Sequence, residues 1–459
     1  MGCLRLPLDP GGSDEPPPMR DAGHAADAGA NHGGSGGRAG AGGRDGGGGG
    51  GLDAQRGADA VGNGGAGAAP DAGGPRDAGA AGASDAIVRQ PDAGLVISFP
   101  AGSSVAYQVD VAHTGNQPAS ALTPPLAQAW AVDLGGRVSY PLVVDGRVFV
   151  TVGNTSAYGT KLEALDLTTG MPVWGPIDIG GTYYWSNAAY DAGRIYVINF
   201  DGLMTAFDAA SGSTIWTRQM PGQYAFSSPP TAAGGMVFVG GAGVGGTVYG
   251  VDGATGQVLW TAGVENGDHS SPALSAGAVY VSYACVQADA FAPLDGTRLW
   301  HHNGGCEGGG GDTTVLYQGR LWARDWATSN LVLDAATGNE IASFSASAIP
   351  AFAGTRGFFL VGSTLQALDA NTRTVLWTFP GDGMLASPPL VVNSRVYIGS
   401  SAGQLYAIDP ATGDQTWSDK LAWGVSASDE FNVTGPLAGM GAGGDSLLVP
   451  ADTHLVCYH

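Results

Sequence analysis

The first 98 residues contain no phenylalanine, tyrosine or tryptophan. Glycine, alanine, aspartate and proline dominate them, with an unbroken glycine run over 46–51. A stretch so poor in large apolar side chains cannot offset the entropy of ordering its backbone, so residues 1–93 are expected to be a disordered tether. Chain statistics give such a glycine-rich tether a root-mean-square span of about 50 Å. Lysine is nearly absent too: only Lys161 and Lys420 occur. The formal net charge is −21, of which −16 falls beyond residue 100. That acidity argues against nucleic acid or anionic lipid as the main partner. Its plainest reading is solubility. No apolar run approaches the roughly 20 residues of a membrane helix, and no stretch calls for a helix.

Cysteine is scarce. The four are Cys3, Cys285, Cys306 and Cys457, and no two are adjacent. No apolar segment precedes Met1-Gly2-Cys3, so no complete signal peptide is visible. A long tether behind an N-terminal cysteine nevertheless resembles a bacterial lipoprotein read from too late a start. Cys3 would then carry the lipid; the alternative is an incidental cysteine in a disordered tail. Myristoylation is rejected, because Leu6 stands where that signal needs Ser or Thr.

What the chain does have is a repeat. Residues 385–417 read as four short strands separated by turns at Asn393-Ser394, at 400–403 and at 409–413. The last part, small-x-Asp-x-x-Thr-Gly-x-x-x-Trp, recurs at Asp166/Gly170/Trp174, Asp208/Gly212/Trp216 and Asp252/Gly256/Trp260. Degraded copies follow. Ala292 replaces the aspartate before Gly296 and Trp300. Ala342 takes the tryptophan position after Asp334 and Gly338. Arg373 takes the glycine position between Asp369 and Trp377. Asp409/Gly413/Trp417 is the seventh copy, and the chain ends on Cys457-Tyr458-His459, a third strand without its turn. A period of about 40 residues with four strands is the signature of a propeller blade. Trp130 supplies a fourth strand with no third strand before it, so the N-terminal strand is expected to complete the last blade. That gives an all-β, eight-bladed propeller of four-stranded antiparallel blades over 127–459, with a lead-in segment over 94–126. Residues 95–99 are a possible extra strand. Trp130, Trp174, Trp216, Trp260, Trp300, Trp377 and Trp417 are expected to pack between neighbouring blades. Arg373 and Ala342 are separate local losses, and blade five should be the loosest joint.

The motif resembles the PQQ-like β-propeller repeat family, the tryptophan-docking-motif propellers. Its members include quinoprotein dehydrogenases and BamB-like proteins that bind no quinone. For a dehydrogenase the resemblance implies a disulfide between adjacent cysteines over the cofactor, a calcium held by Glu and Asn, and a catalytic Asp. The adjacent cysteines are missing, and no catalytic, cofactor-binding or metal residue is carried over. His301-His302 cannot chelate together, because successive strand residues face opposite ways. Asp268-His269-Ser270 is a blade link rather than a triad, which geometry and not adjacency defines.

The links between blades and the turns between second and third strands share one rim. The candidate binding rim comprises Tyr158, Tyr183, Tyr184, Trp185, Tyr224, Phe226, His269, Trp326, Asp429 and Glu430. The opposite rim carries the structural aspartate turns. Cys285 and Cys306 fall on the same rim of adjacent blades and could form a disulfide; two free thiols are the alternative. Cys457 occupies a small position and should be a buried thiol, and His113 a packing histidine.

The function expected on these grounds is a non-catalytic scaffold for an envelope or extracellular protein. It would be a monomer in the cell envelope (outer-membrane lipoprotein or periplasm) or secreted, with no cofactor and no nucleic acid. Its only membrane contact would be a possible N-terminal lipid. The alternatives are a divergent quinoprotein-type oxidoreductase and an extracellular ligand- or glycan-binding module.

Overall fold

The computed structural model describes residues 94–305, 310–325 and 330–459. The tether and Cys3 lie outside them. Eight antiparallel sheets of four strands follow one another around a ring. Blade one is Leu142–Val144, Arg147–Gly153, Thr160–Asp166 and Pro172–Gly180. Blades two to seven occupy residues 186–219, 231–264, 273–302, 312–344, 351–379 and 390–420. Blade eight is Gly441–Gly443, Ser446–Ala451 and His454–Tyr458, completed by Gln128–Asp133, which sets Trp130 opposite Cys457. The last blade is thus built from both ends of the ring's sequence, and no sheet edge is left at the closure.

Local chemistry explains each blade. Second strands such as Met236–Ala242 are buried along their whole length, because neighbouring blades cover both faces. They therefore read as unbroken apolar runs. Fourth strands such as Thr214–Gln219 are largely exposed outer edges. The first hairpin of blade seven turns on Asn393 and Ser394, both at positive φ (43° and 59°), as a type I′ turn requires.

The aspartate turns are sockets for tryptophan. Asp208 accepts hydrogen bonds from the Ser211 amide and hydroxyl, both at 2.8 Å. Those bonds hold its carboxyl below the usual range, the hydroxyl bond foremost. Gly212, at φ +72°, then lies flat under the Trp174 ring, where a Cβ would come within 2.7 Å of Cδ2. The indole N–H of Trp174 donates to the Ala209 carbonyl at 3.1 Å. Trp130, Trp216, Trp260, Trp300 and Trp377 make the same bond to the next blade's turn at 2.9–3.0 Å. Trp417 has no such turn ahead of it and packs edge-on against Tyr458 instead. Trp130 and Trp260 are buried, whereas the other five keep an edge exposed at the outer strand.

The lead-in does more than precede the ring. Residues 95–99 form no strand; the added strand is Asn116–Gln117, parallel to Leu390–Val392 of blade seven. Carbonyls of Ser104, Val105, Val111, Ala112, Thr114 and Gly115 accept from the amides of Val143, Tyr190, Leu274, Leu316, Phe352 and Val391. These six donors occupy the same position in the innermost strands of blades one, two, four, five, six and seven. Blade eight joins through Ala442, whose carbonyl accepts from Ser104 Oγ at 2.7 Å. A segment bonded to seven of eight innermost strands can lie only on the ring axis. It satisfies the amides those inner edges would otherwise leave unpaired. His113 holds this plug in shape, its two ring nitrogens 2.7 and 3.1 Å from the carbonyl oxygens of Tyr107 and Pro272.

Candidate functional site

Two features occupy the rim opposite the aspartate turns. The first is a strap over the axis, residues 425–438, on the link from blade seven to blade eight. From it Glu430 reaches blade five, where Arg324 Nη1 donates to Oε1 at 2.5 Å and the Thr313 amide to Oε2 at 2.5 Å. Arg324 also pairs with Asp312 at 3.1 Å. Phe431 stacks on His269 with ring centroids 4.6 Å apart. Tyr107, rising from the plug, meets Ser428 of the strap at 2.5 Å. Plug and strap therefore touch on the axis.

The cluster is buried, and its ionisation follows from that. Burial pushes the Asp312 carboxyl up to about 6, against the opposing pull of Arg324. Burial works against a charged His269, but the bond to Asp268, 3.2 Å away, outweighs it and raises the imidazole. The Tyr107 hydroxyl is raised well above its ordinary value by burial first and by Glu430 second.

The second feature is an open cleft of about 560 Å³ over the joint of blades seven, eight and one, off the axis. Arg137, Trp423, Asp429, Asn432 and Asp452 line it.

The rim residues expected from sequence divide sharply. Tyr158, 45% exposed, lies against Tyr184, centroids 5.2 Å apart, and Tyr224 is 52% exposed. Tyr183 packs on Phe200, and Asp429 lines the cleft. Trp185 and Phe226, expected on the binding rim, belong instead to the core of blades two and three, 1% and 0% exposed. The Phe226 ring fills space that glycines vacate: a Cβ on Gly202 would come within 2.3 Å of it. Glu430 and His269 are turned inward to clamp the strap. Trp326 and Cys306 lie outside the described residues. Cys285 is disulfide-bonded, while Cys457 is free and buried. Burial pushes the Cys457 thiol up to about 12.

Sequence reasoning missed Arg324, Asp312, Tyr107 and Trp423. Arg324 had a signal, a charged residue following three apolar ones at the buried end of the strand Arg320–Arg324. Tyr107 had none, because nothing local marks a segment as axial.

Fold and rim define a closed propeller whose axis is sealed by its own chain. The chain belongs to the PQQ-like β-propeller family: the model described as outer membrane protein assembly factor BamB matches residues 159–314 and 319–440. Among solved structures, BamB from Moraxella catarrhalis superposes with a TM-score of 0.55 at 15% identity, over 73% of this chain and 97% of that one. Quinohemoprotein alcohol dehydrogenase from Comamonas testosteroni gives 0.60 at 16%, over 78% and 80%. At such identities these likenesses establish the fold. The dehydrogenase subunit of the quinone alcohol dehydrogenase of Gluconacetobacter polyoxogenes is 31% identical over 160 residues, 29% of this chain. The match spans about a fifth (21%) of that relative's length.

The axis does not fit a quinone with calcium. Both Glu430 oxygens are held by Arg324 and Thr313, and Asp312 is held by Arg324. Among the described residues no group of three or more His, Cys, Asp or Glu side chains is placed to hold a metal ion.

Proposed function

We propose that this chain is a non-catalytic binding propeller of the bacterial envelope or exterior, presenting its strap-side rim to a partner protein. One observation carries the reading: plug and strap meet on the axis through Tyr107 and Ser428, and the Asp312 and Glu430 carboxylates beside them are both taken up by Arg324. A pre-formed reaction chamber would keep such groups facing a substrate. The Cys285–Cys306 disulfide remains part of this proposal and suits an oxidising compartment. So does lipidation at Cys3. Capture of a partner from envelope extract by the ring, lost on replacing exposed Tyr158 and Tyr224, tests it.

The second reading is quinone-dependent alcohol oxidation. The names of the curated relatives favour it, and more directly than they favour a scaffold. It requires the strap to leave the axis. Titration with PQQ and calcium, followed by dye reduction with an alcohol, separates the two. Saturable binding with turnover overturns the scaffold.

A further inference from the structure

We infer that the cleft at Trp423 binds a basic side chain, a lysine ammonium or arginine guanidinium, carried on an extended segment of the partner protein. This rests on the binding reading above and assigns it a site.

The cleft's 560 Å³ is in the range of ligand-binding cavities, roughly 300–1,000 Å³. Its walls are fixed. The Trp423 ring stacks on His454, centroids 3.6 Å apart and planes 18° from parallel, so it is held before any ligand arrives. Arg137 lies along Gly435, where a Cβ would come within 2.7 Å of its Cδ. Strap and blades one and eight therefore set this geometry jointly.

Its charges are unused. Among the described residues the ion pairs run through Glu163, Asp268, Asp289, Asp312, Asp409 and Glu430. Asp429 and Asp452 take part in none, although both line the cleft and are exposed. Arg137, also exposed, pairs with neither. Two carboxylates against one guanidinium leave the cleft net negative, in a chain of formal charge −21. Such a surface draws cationic partners and repels acidic ones. The aromatic wall suits the methylene stem and the charge of a basic side chain. Arg137 is left to meet a peptide carbonyl or carboxylate.

Calorimetric titration of the full chain with acetyl-Gly-Lys-Gly-amide tests the site, with acetyl-Gly-Glu-Gly-amide and n-butylamine as the other arms. The lysine peptide should bind and the glutamate peptide should not. Asp429→Asn and Asp452→Asn should each weaken binding about tenfold, the scale of one charge-assisted hydrogen bond, with unchanged thermal midpoints. Raising salt to about 0.5 M should weaken it further. No heat from the lysine peptide at millimolar concentration overturns the inference. So does an unchanged affinity in the double variant. Butylamine binding as tightly as the peptide also overturns it, in favour of small free amines. A partner still captured by the double variant removes this site while leaving the scaffold reading standing.

Discussion

Ala342 stands opposite Arg373 across the joint of blades five and six. Ala342 pairs with Val332 as Trp300 pairs with Ala290. The Arg373 amide bonds to Asp369 as the Gly338 amide bonds to Asp334. Trp300 lies on Gly338, with 2.5 Å to a virtual Cβ. A tryptophan at 342 would meet the real Cβ of Arg373. The two departures from the repeat are therefore one compensated change, not two independent losses. Ala342→Trp alone should destabilise by about 1–3 kcal/mol through overpacking. Arg373→Gly alone should be within about 1 kcal/mol of neutral, since relief at φ +61° is offset by glycine's entropy. Together they should couple favourably by more than ~1 kcal/mol. Chemical denaturation of the four chains measures this, and simple additivity would refute the pairing.

The axial plug should be indispensable where the tether is not. Deleting residues 1–93 should leave the thermal midpoint of the ring unchanged. Deleting through residue 117 removes the acceptors for six inner-strand amides. Each orphaned buried amide costs about 1–3 kcal/mol. The shorter chain should lose its cooperative melt by circular dichroism.

Glu430→Ala should cost about 3–5 kcal/mol, because it leaves the buried Arg324 guanidinium with Asp312 as its one carboxylate partner. The loss should appear as faster amide exchange in the strap and in blade five.

Asp312 gives the strap a pH dependence. Its carboxyl titrates near 6 in the folded chain against an ordinary 3.8. The folded state therefore holds the proton more tightly than the unfolded state. Its contribution is full below about pH 4 and is lost as pH rises through 6, at up to about 1.4 kcal/mol per unit. Asp312→Asn should flatten the fall in stability between pH 4 and 6. An unchanged slope in a pH series of denaturation curves would count against it.

Trp185→Ala should destabilise by about 3–5 kcal/mol as a buried ring. Tyr158→Ser and Tyr224→Ser should stay within about 0.5 kcal/mol. Only the tyrosine changes should affect partner capture without melting the ring.

The repeat spacing by itself determined the ring, the blade number and the closure through Trp130. Each blade's pattern is local: strand period, a turn that needs Gly170 or Asn393, and one tryptophan at a fixed offset. The buried thiol at Cys457 followed from the same alignment. Which rim side chains face water did not follow. Trp185 and Phe226 occupy link positions like those of exposed residues, and only the packing of the assembled blades, with Gly202 and Gly241 making room for Phe226, turns them inward. The axial course of residues 104–117 and the Glu430–Arg324 clamp were likewise decided by tertiary structure. They join residues far apart in the chain, 106 positions for the clamp, and burial supplies both their strength and their ionisation. No local pattern encodes a contact across the axis, because each inner strand offers the same backbone edge whatever its sequence.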